Sequence, residues 1–171
     1  MIESKADARN AVRAGASAGL TAGVLLTALM TLMAAMRHKD VWYGMKGAAA
    51  PFLGHRAMVH GFDAEAVVLG LVAHLAISAA WGVLFALAFY GLSRGMTMLA
   101  GVAWGFVVWI GMYYVVLPLV GLEAMRRDAP PERAIAFHVF FSVITAAAFL
   151  AYQRTFSGPR HFLRRMRHAH A

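Results

Sequence analysis

AVVLGLVAHLAISAAWGVLFALAFYGL, residues 66–92, carries no charged side chain, and its reading decides the fold. The hydrocarbon core of a bilayer is ~30 Å thick and takes about 20 apolar residues in a helix rising 1.5 Å per residue. This stretch exceeds that requirement. Its apolar residues run on continuously, where a half-buried strand would alternate apolar with polar. One histidine, His74, interrupts it. After Ser93, Arg94 and Gly95, a second uncharged run extends from Met96 to Leu122. So short a link makes these two helices antiparallel neighbours.

Working outward, a third run occupies residues 12–36, broken only by Arg13 near its start, and a fourth occupies 134–156, with Arg154 near its end. The expected fold is all-α: a polytopic membrane protein with one domain, residues 1–156, built as a bundle of four transmembrane helices. An interfacial loop, 37–63, joins the first two spans, and a basic tail, 157–171, follows the last. Asp63 before Ala64-Glu65-Ala66 reads as an N-cap with an acid in the first turn. Pro130-Pro131-Glu132 suits the start of the fourth helix, where a missing N–H costs nothing. The apolar stretch from Ala14 to Met36 is too long for a signal-peptide core and reads as a retained helix.

Composition agrees. Of 171 residues 61% are hydrophobic and 14% charged, too little polar matter to cover a soluble domain of this size. The absence of cysteine excludes disulfides, thiolate metal sites and cysteine nucleophiles. The net charge of +8 comes from basic residues flanking the apolar runs, so anionic lipid headgroups account for it more simply than nucleic acid does. Lys5, Arg9, Arg13, Arg94, Arg154, Arg160, Arg164, Arg165 and Arg167 fall on one side of the four spans. Arg37, Lys39, Lys46, Arg56, Arg126, Arg127 and Arg133 fall on the other. The larger group places both termini in the cytoplasm.

Loop 37–63 holds Val41-Trp42-Tyr43 and Ala48-Ala49-Ala50-Pro51-Phe52-Leu53, which predicts an amphipathic or re-entrant stretch at the outer interface. It reads either as a loop lying on the surface or as a lid over a cavity between the helices. In the tail, Phe162, Leu163 and Met166 alternate with arginines, which predicts a membrane-surface helix binding anionic lipid. Glu123, Asp128 and Glu132 beside Arg126, Arg127 and Arg133 read as a solvated, balanced charge patch.

The chain repeats itself. Ala18-Gly19-Leu20-Thr21-Ala22-Gly23-Val24 aligns with Ala100-Gly101-Val102-Ala103-Trp104-Gly105-Phe106. His74-x-x-x-Ser78-x-x-x-Gly82 aligns with His138-x-x-x-Ser142-x-x-x-Ala146, with Phe85 and Phe149 following. This predicts duplication of a two-helix unit about an axis along the membrane normal. Gly15, Gly19 and Gly23 share one helix face, as do Gly101 and Gly105, and small residues let helices approach closely in lipid.

Two ionisable side chains lie well inside the spans, His74 and His138, and such residues are functional candidates. Counted from Asp63 and Pro130, they sit roughly 16 and 12 Å along parallel helices. Converging imidazoles suit axial ligation of a b-type haem. With Met30, Met33 or Met112 as soft ligands they suit Cu(I), and a proton relay or substrate contact is a further use. The plain alternative is that each histidine bonds a neighbouring helix and ties the fold, with Ser78 and Ser142 bonding back to the preceding turn. Of Trp104, Trp109, Tyr113 and Tyr114 on the third helix some read as interior packing, while Tyr113, Tyr114 and Pro118 equally mark the approach to the outer interface. No phosphate-binding glycine loop, zinc-protease motif or buried carboxylate pair is present.

The His-x-x-x-small-x-x-x-small pattern with its following aromatic, together with the Ala-Gly-x-x-x-Gly openings, resembles a broad group of small four-helix bacterial inner-membrane proteins. Some of these carry the label sodium:proline symporter. The resemblance covers about Ala14 to Tyr152. It implies the fold and a bacterial inner membrane, and supplies neither an activity nor site residues. The leading expectation is therefore a non-enzymatic membrane component: an accessory, scaffold or assembly subunit that associates with other subunits or with itself. The alternatives are an electron-transfer protein holding haem or metal at His74 and His138, and a small transporter or channel.

Overall fold

The computed structural model describes residues 4–122 and 130–168, the side chains of 155–168 excepted. Helix α1 (Lys5–Met36) is followed by two short helices, α2 (Tyr43–Gly47) and α3 (Ala50–Leu53), and a 3-10 turn at Gly54–Met58. Then come α4 (Ala64–Phe89), α5 (Arg94–Ile110), a π-helical continuation at Gly111–Val116, α6 (Leu117–Leu119) and α7 (Pro131–His168). No strand occurs among the described residues. Four helices are long and apolar enough to cross a membrane: Lys5–Met36, Ala64–Phe89, Arg94–Leu119 and Pro131–Arg154.

Short polar side chains set the starts. Ser4, Asp63 and Ser93 accept from the N–H groups of Asp7, Ala66 and Met96, at 3.1, 3.1 and 3.4 Å. Pro131 opens α7, as its sequence position suggests. The ends depart from the apolar runs. Helix α4 stops at Phe89, since Tyr90 turns extended and Gly91 adopts φ 85°, so the run to Leu92 outlasts the helix. Gly121, at φ 73°, closes the third span in the same way. The π-helical widening lies just before Pro118, which has no N–H to donate and crowds the carbonyl one turn back. At the other end, α7 continues through 155–168 as unbroken helical backbone.

Around the bundle the order is α4, α1, α7, α5. Main-chain packing is close between α1 and α4, α1 and α7, and α5 and α7, and slight between α4 and α5. Sequence neighbours joined by a tight turn are thus held apart, and aromatic rings fill the gap. Trp104 of α5 meets Trp81, Phe85 and Phe89 of α4, with ring centres 5.9, 6.1 and 5.6 Å away.

Glycine explains two of the close pairs, α1 with α4 and α5 with α7. A Cβ on Gly19 would overlap the carbonyl oxygen of Ser78 and stand 3.1 Å from Ala79 Cα. A Cβ on Gly101 would stand 2.6 Å from that of Ala146 and 3.2 Å from Ser142 O. Further along, Gly23 faces Leu75 and Ser78, and Gly105 faces Val139. Buried Ala11, Ala14 and Ala18 continue the seam around Phe85 and Phe149, whose rings cross at 88°. Outside this seam, large apolar side chains such as Val24, Leu32, Val68, Leu99 and Ile110 are exposed.

Candidate functional site

His74 and His138 hang from α4 and α7, each on the face that carries the small residues. Both helices pack against α1. The hydrogen bonds of the two imidazoles, however, turn them to different carbonyls. His74 Nε2 lies 3.3 Å from Gly23 O on α1, where the glycine brings the backbones close. His138 Nδ1 lies 2.7 Å from Ala134 O on its own helix, one turn back. A carbonyl only accepts, so the N–H sits on Nε2 of His74 and on Nδ1 of His138. The two histidines, aligned in the sequence, therefore do not have the same partner.

The surroundings are aromatic and sulfur-bearing. The Tyr113 ring stands edge-on to His138, centres 5.7 Å apart. Trp81 Nε1 donates to Met112 Sδ at 3.4 Å. Met30 and Met112 pack in one cluster with Phe137, Phe140 and Ile144 about buried Leu26, Val108 and Phe141, and Met33 is not a member of it. Among the described residues no three His, Asp or Glu side chains come together as a metal site. The serines differ too. Ser78 Oγ bonds back to His74 O at 2.7 Å, while the fully buried Ser142 Oγ has no partner among the described residues. The indole nitrogens of Trp104 and Trp109 are also buried without one.

A second constellation escaped sequence reasoning. The Lys46 side chain is fully buried, and its Nζ reaches Asp40 Oδ2 at 3.1 Å and the carbonyls of Val59 and Gly61. Asp40 in turn accepts from the N–H groups of Trp42 and Gly61 at 2.9 and 3.0 Å. Burial alone would raise the Asp40 carboxyl, but those two N–H groups and the Lys46 ammonium outweigh it and hold it below the ordinary value of 3.8. The clasp folds loop 37–63 onto the bundle. Helix α2 lies against α4, where a Cβ on Gly70 would strike Met45 O, and against Met30 of α1. The signal for it was a lone charge: Lys46 is the one charged residue between Val41 and Gly54.

Of the expected charge patch, residues 123–129 lie outside the described residues, and Glu132 and Arg133 are exposed at the start of α7. The tail expected to bind anionic lipid likewise falls where side chains are not described. No protein-family model, curated protein sequence or solved structure matches this chain.

Proposed function

We infer that the chain is a multi-pass protein of a bacterial inner membrane, both termini cytoplasmic, and that it serves as a non-enzymatic accessory or assembly subunit of a larger membrane complex. One observation carries this reading: where the described helices meet, protein packs directly on protein. Helices meet at glycine, aromatic rings occupy the wider gap, and both interior histidines are bonded to backbone carbonyls. What is left to act is the apolar exterior. Duplication of a two-helix unit is supported by the paired contacts, Gly19 on Ser78 and Ala79 against Gly101 on Ser142 and Val143. The resemblance to small four-helix inner-membrane proteins supports the location.

The test is gentle solubilisation of the tagged chain from its own membrane, followed by size analysis and mass spectrometry. A defined membrane protein, or a second copy of the chain, in fixed stoichiometry is the expected result. A lone chain under every mild condition would remove the subunit reading.

A second reading, a b-type haem or metal electron carrier at His74 and His138, is favoured by one contact. The Nδ1–H of His138 faces Ala134 O, which leaves Nε2 as the free lone pair, the arrangement common to metal-bound imidazoles. Oxidised and dithionite-reduced absorption spectra decide it. Reduced-state haem bands lost in His74→Ala and His138→Ala would establish it, and a colourless protein would end the haem form.

A further inference from the structure

At the end of the bundle where α5 begins and α7 leaves the apolar zone, Arg94 and Arg154 border a groove of about 430 Å³. Met98, Ala147 and Leu150 form its apolar wall, and Gly95 leaves its mouth wide, with nothing standing where a side chain would be. Among the described residues no carboxylate lines it. Among the described residues the ion pairs are Lys46 with Asp40 and Arg56 with Asp63 and Glu65, so neither guanidinium has an acidic partner. The contrast with Arg56 is informative. Arg56, on the opposite end, is neutralised by acids 3.4 and 2.7 Å away. In the sequence, six of the eight acids, Asp40, Asp63, Glu65, Glu123, Asp128 and Glu132, fall between the first and second or between the third and fourth apolar runs or at their edges, and the other two, Glu3 and Asp7, precede the first run.

We propose that this groove is a binding site for an anionic glycerophospholipid, its phosphate held between Arg94 and Arg154 and its first acyl methylenes lying on Met98 and Leu150. The inference rests on the membrane-spanning reading. Three features select the ligand. Two unpaired guanidiniums demand an anion, and planar N–H donors match phosphate oxygens. The apolar wall runs from the charges toward the span, as an acyl chain does below its headgroup. The position, between two spans at their cytoplasmic ends, is where basic pockets take anionic headgroups. A soluble anion would use the charges and leave the wall unused.

The test is native mass spectrometry of the full chain in detergent, titrated with phosphatidylglycerol and, separately, phosphatidylcholine of the same acyl composition. Alkaline carbonate extraction of the source membranes is run alongside. Extraction into the supernatant would sink the spanning reading, whereas retention with no lipid preference would sink the site alone. Wild type is expected to prefer phosphatidylglycerol. Arg94→Gln and Arg154→Gln each weaken that preference about fivefold and the pair roughly thirtyfold. Arg133→Gln, at the other end, leaves it unchanged. Both arginines are exposed, so the variants keep the fold, which their unfolding temperature checks. The proposal is overturned if the double variant keeps the preference, if only Arg160→Gln/Arg164→Gln/Arg165→Gln/Arg167→Gln abolishes it, or if inorganic phosphate displaces the lipid at equal concentration.

Discussion

Lys46 and Asp40 are worth most as a pair and least when one is left alone. Removing either leaves the other charge buried in loop 37–63 without its partner. Asp40→Asn is expected to destabilise the loop's closure by about 3 kcal/mol, the lower end for a broken buried pair because the clasp lies near the end of the molecule. Asp40→Leu with Lys46→Met together should not recover this, because the Val59 and Gly61 carbonyls and the Trp42 and Gly61 N–H groups then lose their partners too. Hydrogen exchange at the Trp42 and Gly61 amides measures both. The same pair gives a pH dependence. A folded carboxyl held below 3.8 contributes its stability in full above that value, and the contribution is lost as pH falls through the lower folded value. Exchange at those two amides, corrected for intrinsic rate, should accelerate on acidification below 3.8 and be pH-independent in the Leu/Met variant. A different residue makes the opposite point. Ser142 Oγ is buried without a partner, so Ser142→Ala should raise stability by about 1 kcal/mol, the penalty of an unmade hydrogen bond. Ser78→Ala loses a real bond to His74 O and should not. Thermal unfolding of the two variants side by side checks the sign.

Helix pairs are where the glycines act, and there the kind of obstacle decides the outcome. Gly19 faces a backbone oxygen, which cannot move aside, so Gly19→Ala should cost about 3 kcal/mol or more, the upper end for overpacking. Gly101 faces chiefly the methyl of Ala146, which a second substitution can remove. Gly101→Ala should cost about 1–3 kcal/mol, and Gly101→Ala with Ala146→Gly should restore most of it. Unfolding of the single and paired variants in detergent would reveal whether the rescue occurs. No rescue would mean that α5 and α7 do not meet at these residues. This is also the scale at which the sequence was most legible. Uncharged runs exposed four long helices, and four-residue spacing exposed the faces on which they meet, because both depend only on composition and helical period. The partner of each histidine was not legible. His74 and His138 sit in similar local sequence patterns, yet one bonds the next helix and the other bonds back along its own. Nor was the clasp, since Asp40 and Lys46 are joined through irregular backbone that carries no period. The π-helical widening at Gly111–Val116 was missed although Pro118 marks it.

For the whole molecule the first question is which way it faces. The natural chain has no cysteine, so single introduced cysteines report on their surroundings without background. His60→Cys in loop 37–63 should react with an impermeant maleimide in intact bacteria, and Lys5→Cys only after lysis. The reverse pattern would invert the proposed orientation, and equal labelling in a soluble fraction would remove the membrane assignment altogether. The order of helices around the bundle has a consequence of another kind, in time. The chain leaves the ribosome as α1, then α4, and those two fit together at once. Helix α5 follows and meets α4 through aromatic side chains rather than through close backbones, and its glycine face waits for α7, the last to be made. During synthesis the molecule thus passes through a stage with one finished hairpin and one helix whose glycine face is unmatched. Cutting the gene at the Tyr90–Ser93 turn and expressing the two parts together would separate these events, since each part then carries a complete pair.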